Sequence, residues 1–310
     1  MTLTILFAAG EGDFAEYAPH LKDALAEAGL EAALVTEAPP ESVDYIIYAP
    51  ANPLRDFSPF TRCKAVLSLW AGVERIVGNP TLTQPLARMV DPALTRGMVE
   101  YVTGHVLRYH LGLDAHIHAR AGEWAAEPPP LAEARVVGFL GLGALGQACA
   151  DALRGLGFQV IGWSRSPKSL PGITCHHGDE GLKTVLQQSE ILVTLLPHTS
   201  TTENLLDARR FGFCRPGLCL INPGRGALID EAALIDALDA GPVQHATLDV
   251  FRTEPLPEDH AFWHHPKVTV TPHIAAATRT ETAARVIVGN IARVEGGAPL
   301  LNEVCRARGY

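Results

Sequence analysis

Residues 136–152 read Val136-Val-Gly-Phe-Leu140-Gly141-Leu-Gly143-Ala144-Leu145-Gly146-Gln-Ala148-Cys149-Ala-Asp-Ala152. An apolar run of five residues, a glycine-rich turn, and then Leu145, Ala148, Cys149 and Ala152 at helical spacing make a strand–turn–helix unit. Glycine-rich turns alone are common. Between a strand and a helix, Gly141-x-Gly143-x-x-Gly146 is the dinucleotide fingerprint. Gly141 permits the tight turn, Gly143 lets backbone approach a pyrophosphate, and Gly146 lets helix and strand pack closely. The helix N-terminus beginning at Ala144 and Leu145 offers free N–H groups to phosphate oxygens.

The second strand of such a unit decides which dinucleotide binds. An NAD site places a carboxylate at its end for the ribose 2′-hydroxyl. Here Val160-Ile-Gly-Trp163 runs into Ser164-Arg165-Ser166, with Lys168 close behind. A guanidinium, two hydroxyls and an ammonium suit a 2′-phosphate, which a carboxylate would repel. The expected cofactor is therefore NADP, with NADPH preferred and NAD the alternative.

Outward from this unit the pattern repeats. Ile191–Leu196, Leu218–Asn222, Ala246–Val250 and Val268–Val270 are short apolar strands between helical stretches, which predicts a parallel sheet covered on both faces. Upstream, Leu3–Ala8, Ala32–Val35, Tyr45–Tyr48 and Ala65–Leu69 read as strands of a smaller α/β unit, with a helix through Tyr17, Leu21 and Leu25 stopped by Gly29. A helix is expected over Met98–Leu111, and Gly122–Pro130 reads as a linker. Thr278–Val294 is helical in period with no strand to follow it. It is expected to pack back on the N-terminal unit, making a discontinuous domain of 1–99 plus 279–310 around a dinucleotide-binding domain of 100–278.

Composition excludes several classes. Of 310 residues, 47% are hydrophobic and 19% charged, a globular balance. No apolar run is long enough to span a bilayer. The apolar N-terminus lacks a basic leader and reads as a first strand, so the expected location is the cytoplasm. A net charge of −9 argues against nucleic-acid binding. The six cysteines include no C-x-x-C pair and lie mostly in apolar stretches, so they read as small buried hydrophobes.

An acidic chain that binds anions must hold them with local cations. Three further strand ends each carry one charged or titratable group: Asn222-Pro223-Gly224-Arg225-Gly226, Asp249-Val-Phe-Arg-Thr-Glu254-Pro255 and Thr271-Pro272-His273. In an open parallel sheet the carboxyl ends of strands line the ligand crevice, so all three fall on the glycine-loop edge. Reduction of a 2-oxo acid needs such a set. Arg225 supplies a planar bidentate partner for the carboxylate. His273 is an acid of suitable type to protonate the developing alkoxide. Glu254 can accept the other imidazole N–H and fix the tautomer.

The Gly141–Gly146 loop, Arg225, Glu254 and His273 resemble, in order and context, the D-isomer-specific 2-hydroxyacid dehydrogenases, and the likeness covers nearly the whole chain. Within that family the chain is most similar to the bacterial glyoxylate/hydroxypyruvate reductases, through Trp163-Ser164-Arg165, Phe262-Trp263-His264-His265-Pro266 and the terminal Arg306-Ala307-Arg308-Gly309-Tyr310. The resemblance implies two Rossmann-like or flavodoxin-like domains with doubly wound parallel sheets and an active site in the cleft between them. It implies a catalytic Arg225–Glu254–His273 trio, NADPH-linked reduction of glyoxylate or hydroxypyruvate, and a homodimer built through the cofactor domains. It also places Trp163, Leu196, Pro197, Thr202, Pro223, Gly224 and Ala275 around the cofactor, with Asp249 orienting the nicotinamide carboxamide.

Leu67-Ser-Leu-Trp70-Ala71-Gly72-Val73 reads as a strand passing into a helix whose free N–H groups could bind the substrate carboxylate. The family usually has glycine where Trp70 stands. Trp70 either narrows the pocket toward two- or three-carbon acids or packs at the domain interface. His116-x-His118 and His176-His177 lack a third ligand of the right type, so they read as surface histidines and no metal is expected. Two rival functions remain: another dehydrogenase of the family acting on pyruvate, phosphoglycerate or a larger 2-oxo acid, and a non-catalytic nucleotide-sensing regulator.

Overall fold

Two parallel β-sheets with helices around them form the protein, an α/β architecture seen in the computed structural model of the chain. The structure describes every residue except Met1, Glu11, residues 118–123, Ala125, Arg308 and Tyr310. His118, part of Gly122–Pro130 and part of the C-terminal motif therefore lie outside the described residues.

The strands in chain order are β1 (Leu3–Ala8), β2 (Ala32–Val35), β3 (Tyr45–Tyr48), β4 (Ala65–Ser68), β5 (Leu86–Ala87), β6 (Val136–Leu140), β7 (Gln159–Ser164), β8 (Thr174–His177), β9 (Ile191–Thr194), β10 (Leu218–Asn222), β11 (Val243–Leu248) and β12 (Val268–Val270). The helices are α1 (Asp13–Glu27), α2 (Pro92–His110), α3 (Leu113–Ile117), α4 (Ala144–Gly155), α5 (Gly178–Gln188), α6 (Ala208–Phe211), α7 (Glu231–Asp239) and α8 (Thr280–Glu295). Chain contacts divide these into one compact unit of residues 1–94 with 277–310 and another of residues 95–276.

In the first unit the strand order is β2-β1-β3-β4-β5, all parallel. Helix α8 lies against α1. Its face of Ala283, Ala284, Ile287, Val288 and Ile291 joins the cluster of Ile5, Phe7, Leu21, Leu25 and Ile47. The i, i+4, i+8 spacing of Ala283, Ile287 and Ile291 puts them on one stripe, which is why this C-terminal segment is helical and buried. Tyr45 and Lys64 fasten its far end through hydrogen bonds of 2.5 and 2.6 Å to Glu295.

In the second unit the order is β12-β11-β10-β9-β6-β7-β8, again parallel throughout. Both faces are dry. Leu218 and Leu220 of β10 enter one cluster with Leu182, Val185 and Leu234, while Cys219 and Ile221 enter another with Val102, Val106 and Phe139. Such two-sided burial explains why β10 is an unbroken apolar run rather than an alternating one. From β6 the chain goes one way to β7 and β8, then crosses to β9 on the other side. The carboxyl ends of β6 and β9 thus flank the crevice where open α/β sheets bind ligands. Strand β8 was not expected from the sequence, because Thr174-Cys-His-His177 is not an apolar run. Its His176 is half-buried, not a surface residue.

Candidate active site

The glycine loop leaves β6 at Gly141, whose φ of 111° is open to glycine and poorly tolerated by other residues. A Cβ there would stand 2.4 Å from the Leu195 carbonyl oxygen, and one on Gly146 would stand 2.0 Å from that of Gly141. Those two glycines are demanded by protein packing. Gly143 is different: its backbone is ordinary and extended, and nothing lies within 4 Å of its missing Cβ. It caps α4 without any side-chain hydrogen bond. Open space beside an uncapped helix start, next to Ala144 and Leu145, suits a phosphate group. These residues fit the pyrophosphate of a nicotinamide dinucleotide.

At the end of β7, Trp163 is buried and donates its indole N–H to the Gly178 carbonyl at 2.8 Å, so its side chain belongs to the core. Ser164 is also buried, its Oγ donating to the Ser166 carbonyl at 2.8 Å. Arg165, Ser166 and Lys168 are exposed. Lys168 reaches back to the glycine loop and donates to the Leu142 carbonyl at 2.6 Å. An ammonium is thereby held beside the loop that fits the pyrophosphate. Leu196 and Pro197 follow β9 and are half-buried. Thr202 is buried and shapes that loop: its Oγ1 donates to the Pro197 carbonyl at 2.7 Å and accepts from the Thr199 N–H at 2.8 Å.

Strands β10, β11 and β12 are adjacent, and the loops leaving them carry Arg225, Glu254 and His273. Arg225 is half-buried and donates from Nη1 to the Gly224 carbonyl at 2.7 Å. Asn222, fully within the sheet, sets that turn by accepting from Thr194 Oγ1 at 2.6 Å and donating to the Arg225 carbonyl at 3.0 Å. Pro223 and Gly224 are buried in it. A Cβ on Gly226 would lie 2.1 Å from the Phe251 carbonyl carbon, so the Arg225 loop rests directly on the backbone of the Glu254 loop.

Glu254 is held at both oxygens. Oε1 accepts the Phe251 N–H at 2.9 Å and Oε2 lies 2.8 Å from His273 Nδ1. That leaves Nε2 of the imidazole as the nitrogen available to a ligand, on a side chain about half exposed. His273 sits at φ 55°, in the left-handed region. The conformation costs a non-glycine residue roughly 1–2 kcal/mol, though histidine adopts it more readily than most. The backbone that imposes it is organised by Asp249. Its carboxylate is fully buried and accepts from Thr271 Oγ1 at 2.6 Å, the Ile274 N–H at 2.9 Å and the buried Ala275 N–H at 2.9 Å. The Asp249 carbonyl accepts the His273 N–H at 2.9 Å. Asn222, Gly226 and Thr271 escaped the sequence reading. Their signal was faint: a polar or glycine residue immediately after an apolar strand.

In the first unit, the structure corrects one expectation. No helix follows Gly72; residues 74–78 form turns closed by hydrogen bonds from the Ile76 and Val77 N–H groups to the Val73 carbonyl. The segment Glu74-Arg75-Ile76-Val77-Gly78-Asn79-Pro80 is too short before its glycine and proline to propagate a helix. Trp70 is 39% exposed, with the Arg75 guanidinium 5.9 Å from its ring centroid. Its backbone is pinned by Ser68 Oγ and by the Met89 N–H. Ala71 and Gly72 are half-buried beside it.

A glycine loop fitted to a dinucleotide and a paired histidine at the same sheet edge define a nicotinamide-dependent dehydrogenase. Residues 106–275 match the family model for the D-isomer specific 2-hydroxyacid dehydrogenase NAD-binding domain. The chain is 39% identical over 255 residues to glyoxylate/hydroxypyruvate reductase A of Yersinia enterocolitica, covering 80% of this chain and 82% of that one. It is 40% identical over 244 residues to the Serratia proteamaculans reductase of the same name, covering 76% and 78%. A D-isomer specific 2-hydroxyacid dehydrogenase of Xanthobacter autotrophicus, solved with NADPH and MES, superposes with a TM-score of 0.93 at 39% identity over all of both chains. The NADPH-dependent glyoxylate/hydroxypyruvate reductase of Sinorhizobium meliloti, solved with NADP and sulfate, gives 0.82 at 33% identity, also over all of both chains. The chain belongs to the D-isomer specific 2-hydroxyacid dehydrogenase family and is an NAD(P)-dependent oxidoreductase.

Proposed function

We propose that the protein reduces a small 2-oxo acid with NADPH, converting glyoxylate to glycolate and hydroxypyruvate to D-glycerate. The observation that carries this reading is the His273–Glu254 pair, with Nδ1 on the carboxylate at 2.8 Å and Nε2 left to the ligand. The Arg225 guanidinium binds the substrate carboxylate and polarises the adjacent carbonyl. NADPH held at the Gly141–Gly146 loop would supply the hydride for carbon 2. His273 delivers its Nε2 proton to the carbonyl oxygen as the alkoxide develops, while Glu254 holds the ring in place. The net change is one hydride and one proton added across the C=O bond, and the imidazole regains its proton from water.

NADPH is preferred over NADH because the β7 end carries Arg165, Ser166 and Lys168 and no carboxylate. The NADPH- and NADP-bound relatives of Xanthobacter and Sinorhizobium agree with that preference. Trp70, Ala71 and Gly72 are assigned to substrate binding, with Trp70 limiting substrate size. The protein is assigned as a homodimer. Steady-state kinetics with 2-oxo acids of two to six carbons, each with NADPH and NADH, tests the assignment. The two- and three-carbon acids with NADPH give the highest kcat/KM; a preference for large acids or for NADH overturns it.

A further inference from the structure

We propose that Tyr101 and Thr271 are positioning residues for His273. A chain of hydroxyl hydrogen bonds, from helix α2 through Thr271 to the Asp249 carboxylate, holds the loop that presents the imidazole. The inference rests on the role proposed above for His273.

The Tyr101 hydroxyl lies 2.7 Å from Thr271 Oγ1, which lies 2.6 Å from Asp249 Oδ1. The direction of this chain follows from its end. A carboxylate only accepts, so the single Thr271 hydroxyl proton goes to Asp249, and Thr271 must accept from Tyr101. Burial pushes the Tyr101 phenol far above its ordinary value, so the phenol stays protonated and remains a donor. Two hydroxyls aligned head to tail on a buried carboxylate polarise one another.

Asp249 is the junction. The same oxygen that receives Thr271 receives the Ile274 N–H, and the other receives the Ala275 N–H. The donors that hold this carboxylate, the Thr271 hydroxyl and the Ile274 and Ala275 N–H groups, are neutral and of fixed direction. His273 lies inside that bracket, between Thr271 and Ile274, in a left-handed conformation it would not choose unaided. Helix α2 supplies the anchor: Tyr101 stands one turn before His105, whose ring lies 4.5 Å away, and Met98, Val102 and Val106 fix the helix on the sheet. Tyr101 does not reach the imidazole itself in this chain of bonds. It acts through Thr271 and Asp249.

The test is a double-mutant cycle on kcat with the preferred 2-oxo acid and NADPH. Tyr101→Phe lowers kcat about fivefold, the effect of one lost hydrogen bond, and leaves KM for NADPH within about twofold. Thr271→Val lowers kcat at least as far, and Thr271→Ser, which keeps the hydroxyl, restores it. In the Thr271→Val background, Tyr101→Phe has no further effect, because the chain is already cut. Wild-type kcat in Tyr101→Phe, or fully additive losses, overturns the proposal. Should Thr271→Val fail to fold, Tyr101→Phe and Thr271→Ser carry the kinetic test. Amide exchange supplies a readout independent of turnover. Tyr101→Phe speeds exchange at Ile274 and Ala275 while distant sheet amides keep their protection; unchanged protection at both overturns the proposal. A wild-type protein that turns over no 2-oxo acid defeats the functional reading alone, and the exchange measurement then decides this one.

Discussion

Glu254 shows how much one side chain can organise. Its two oxygens join the Phe251 backbone to the His273 ring, so it sets the shape of its own loop and the tautomer of its partner. Glu254→Gln retains the amide oxygen for the Phe251 N–H but loses the carboxylate at Nδ1. Loss of a charged partner to the acid lowers kcat by roughly 10–100-fold with small change in cofactor affinity; an unchanged kcat, measured under saturating substrate, contradicts the pairing's role. Arg165 makes a sharper test of cofactor choice. Arg165→Ala raises KM for NADPH about tenfold or more and hardly moves KM for NADH, since only the former carries the 2′-phosphate. Equal shifts for both cofactors count against a phosphate contact. These residues were legible because charged groups at strand ends stand out from apolar runs. Trp163 was misleading: it shares the strand end but gives its side chain to the core. Tyr101 was illegible because an aromatic at a helix position reads as packing until its hydroxyl is seen to meet Thr271.

At the scale of elements, the strand–turn–helix of β6 and α4 separates two kinds of glycine. Gly146→Ala drives a Cβ into the Gly141 carbonyl and lowers folding stability, whereas Gly143→Ala meets nothing in the protein. The Gly143 variant therefore loses only about 1 kcal/mol, the N-cap preference of glycine over alanine, and melts within about 4 °C of wild type, yet loses NADPH affinity in a fluorescence titration. Equal NADPH affinity shows that no phosphate approaches there. The strand next to the sheet edge tells a different story. On β11, burial and then the Arg108 charge push the His245 imidazole down to about 4, opposed by Asp114, with His265 and His105 adding to the depression. His245 Nε2 sits 2.9 Å from Thr269 Oγ1. Between pH 6.5 and 4 the unfolded chain binds the extra proton and the folded one does not. Stability is thus full above pH 6.5 and falls as pH drops, by up to roughly 3 kcal/mol from this group. Denaturation of His245→Gln shows a flatter acid limb; an unchanged limb rules this histidine out. The sheet class was readable from alternating strand and helix periods. Strand β8 and the turns after Gly72 were not, because neither polarity nor two glycines and a proline reveal which neighbour a short segment finds.

For the whole molecule, the informative features are its discontinuous first unit and its negative charge. The last helix completes a core begun by the first strand, so Ile291, fully buried in that cluster, links distant parts of the chain. Ile291→Ala costs about 2–5 kcal/mol in chemical denaturation, while the glycine-loop unit keeps its own contacts; a loss below 1 kcal/mol would mean that α8 is not integral to that core. The −9 net charge is no obstacle to the proposed anionic ligands, because Arg225 and Lys168 place cations at the Gly224 and Leu142 carbonyls of two strand-end loops. The most direct test of the account is NADPH oxidation with glyoxylate, measured side by side for wild type and His273→Ala. Wild type turns over, and kcat in the variant is lower by roughly 10²–10⁴-fold, with NADPH binding intact. Wild-type rates in His273→Ala would contradict it.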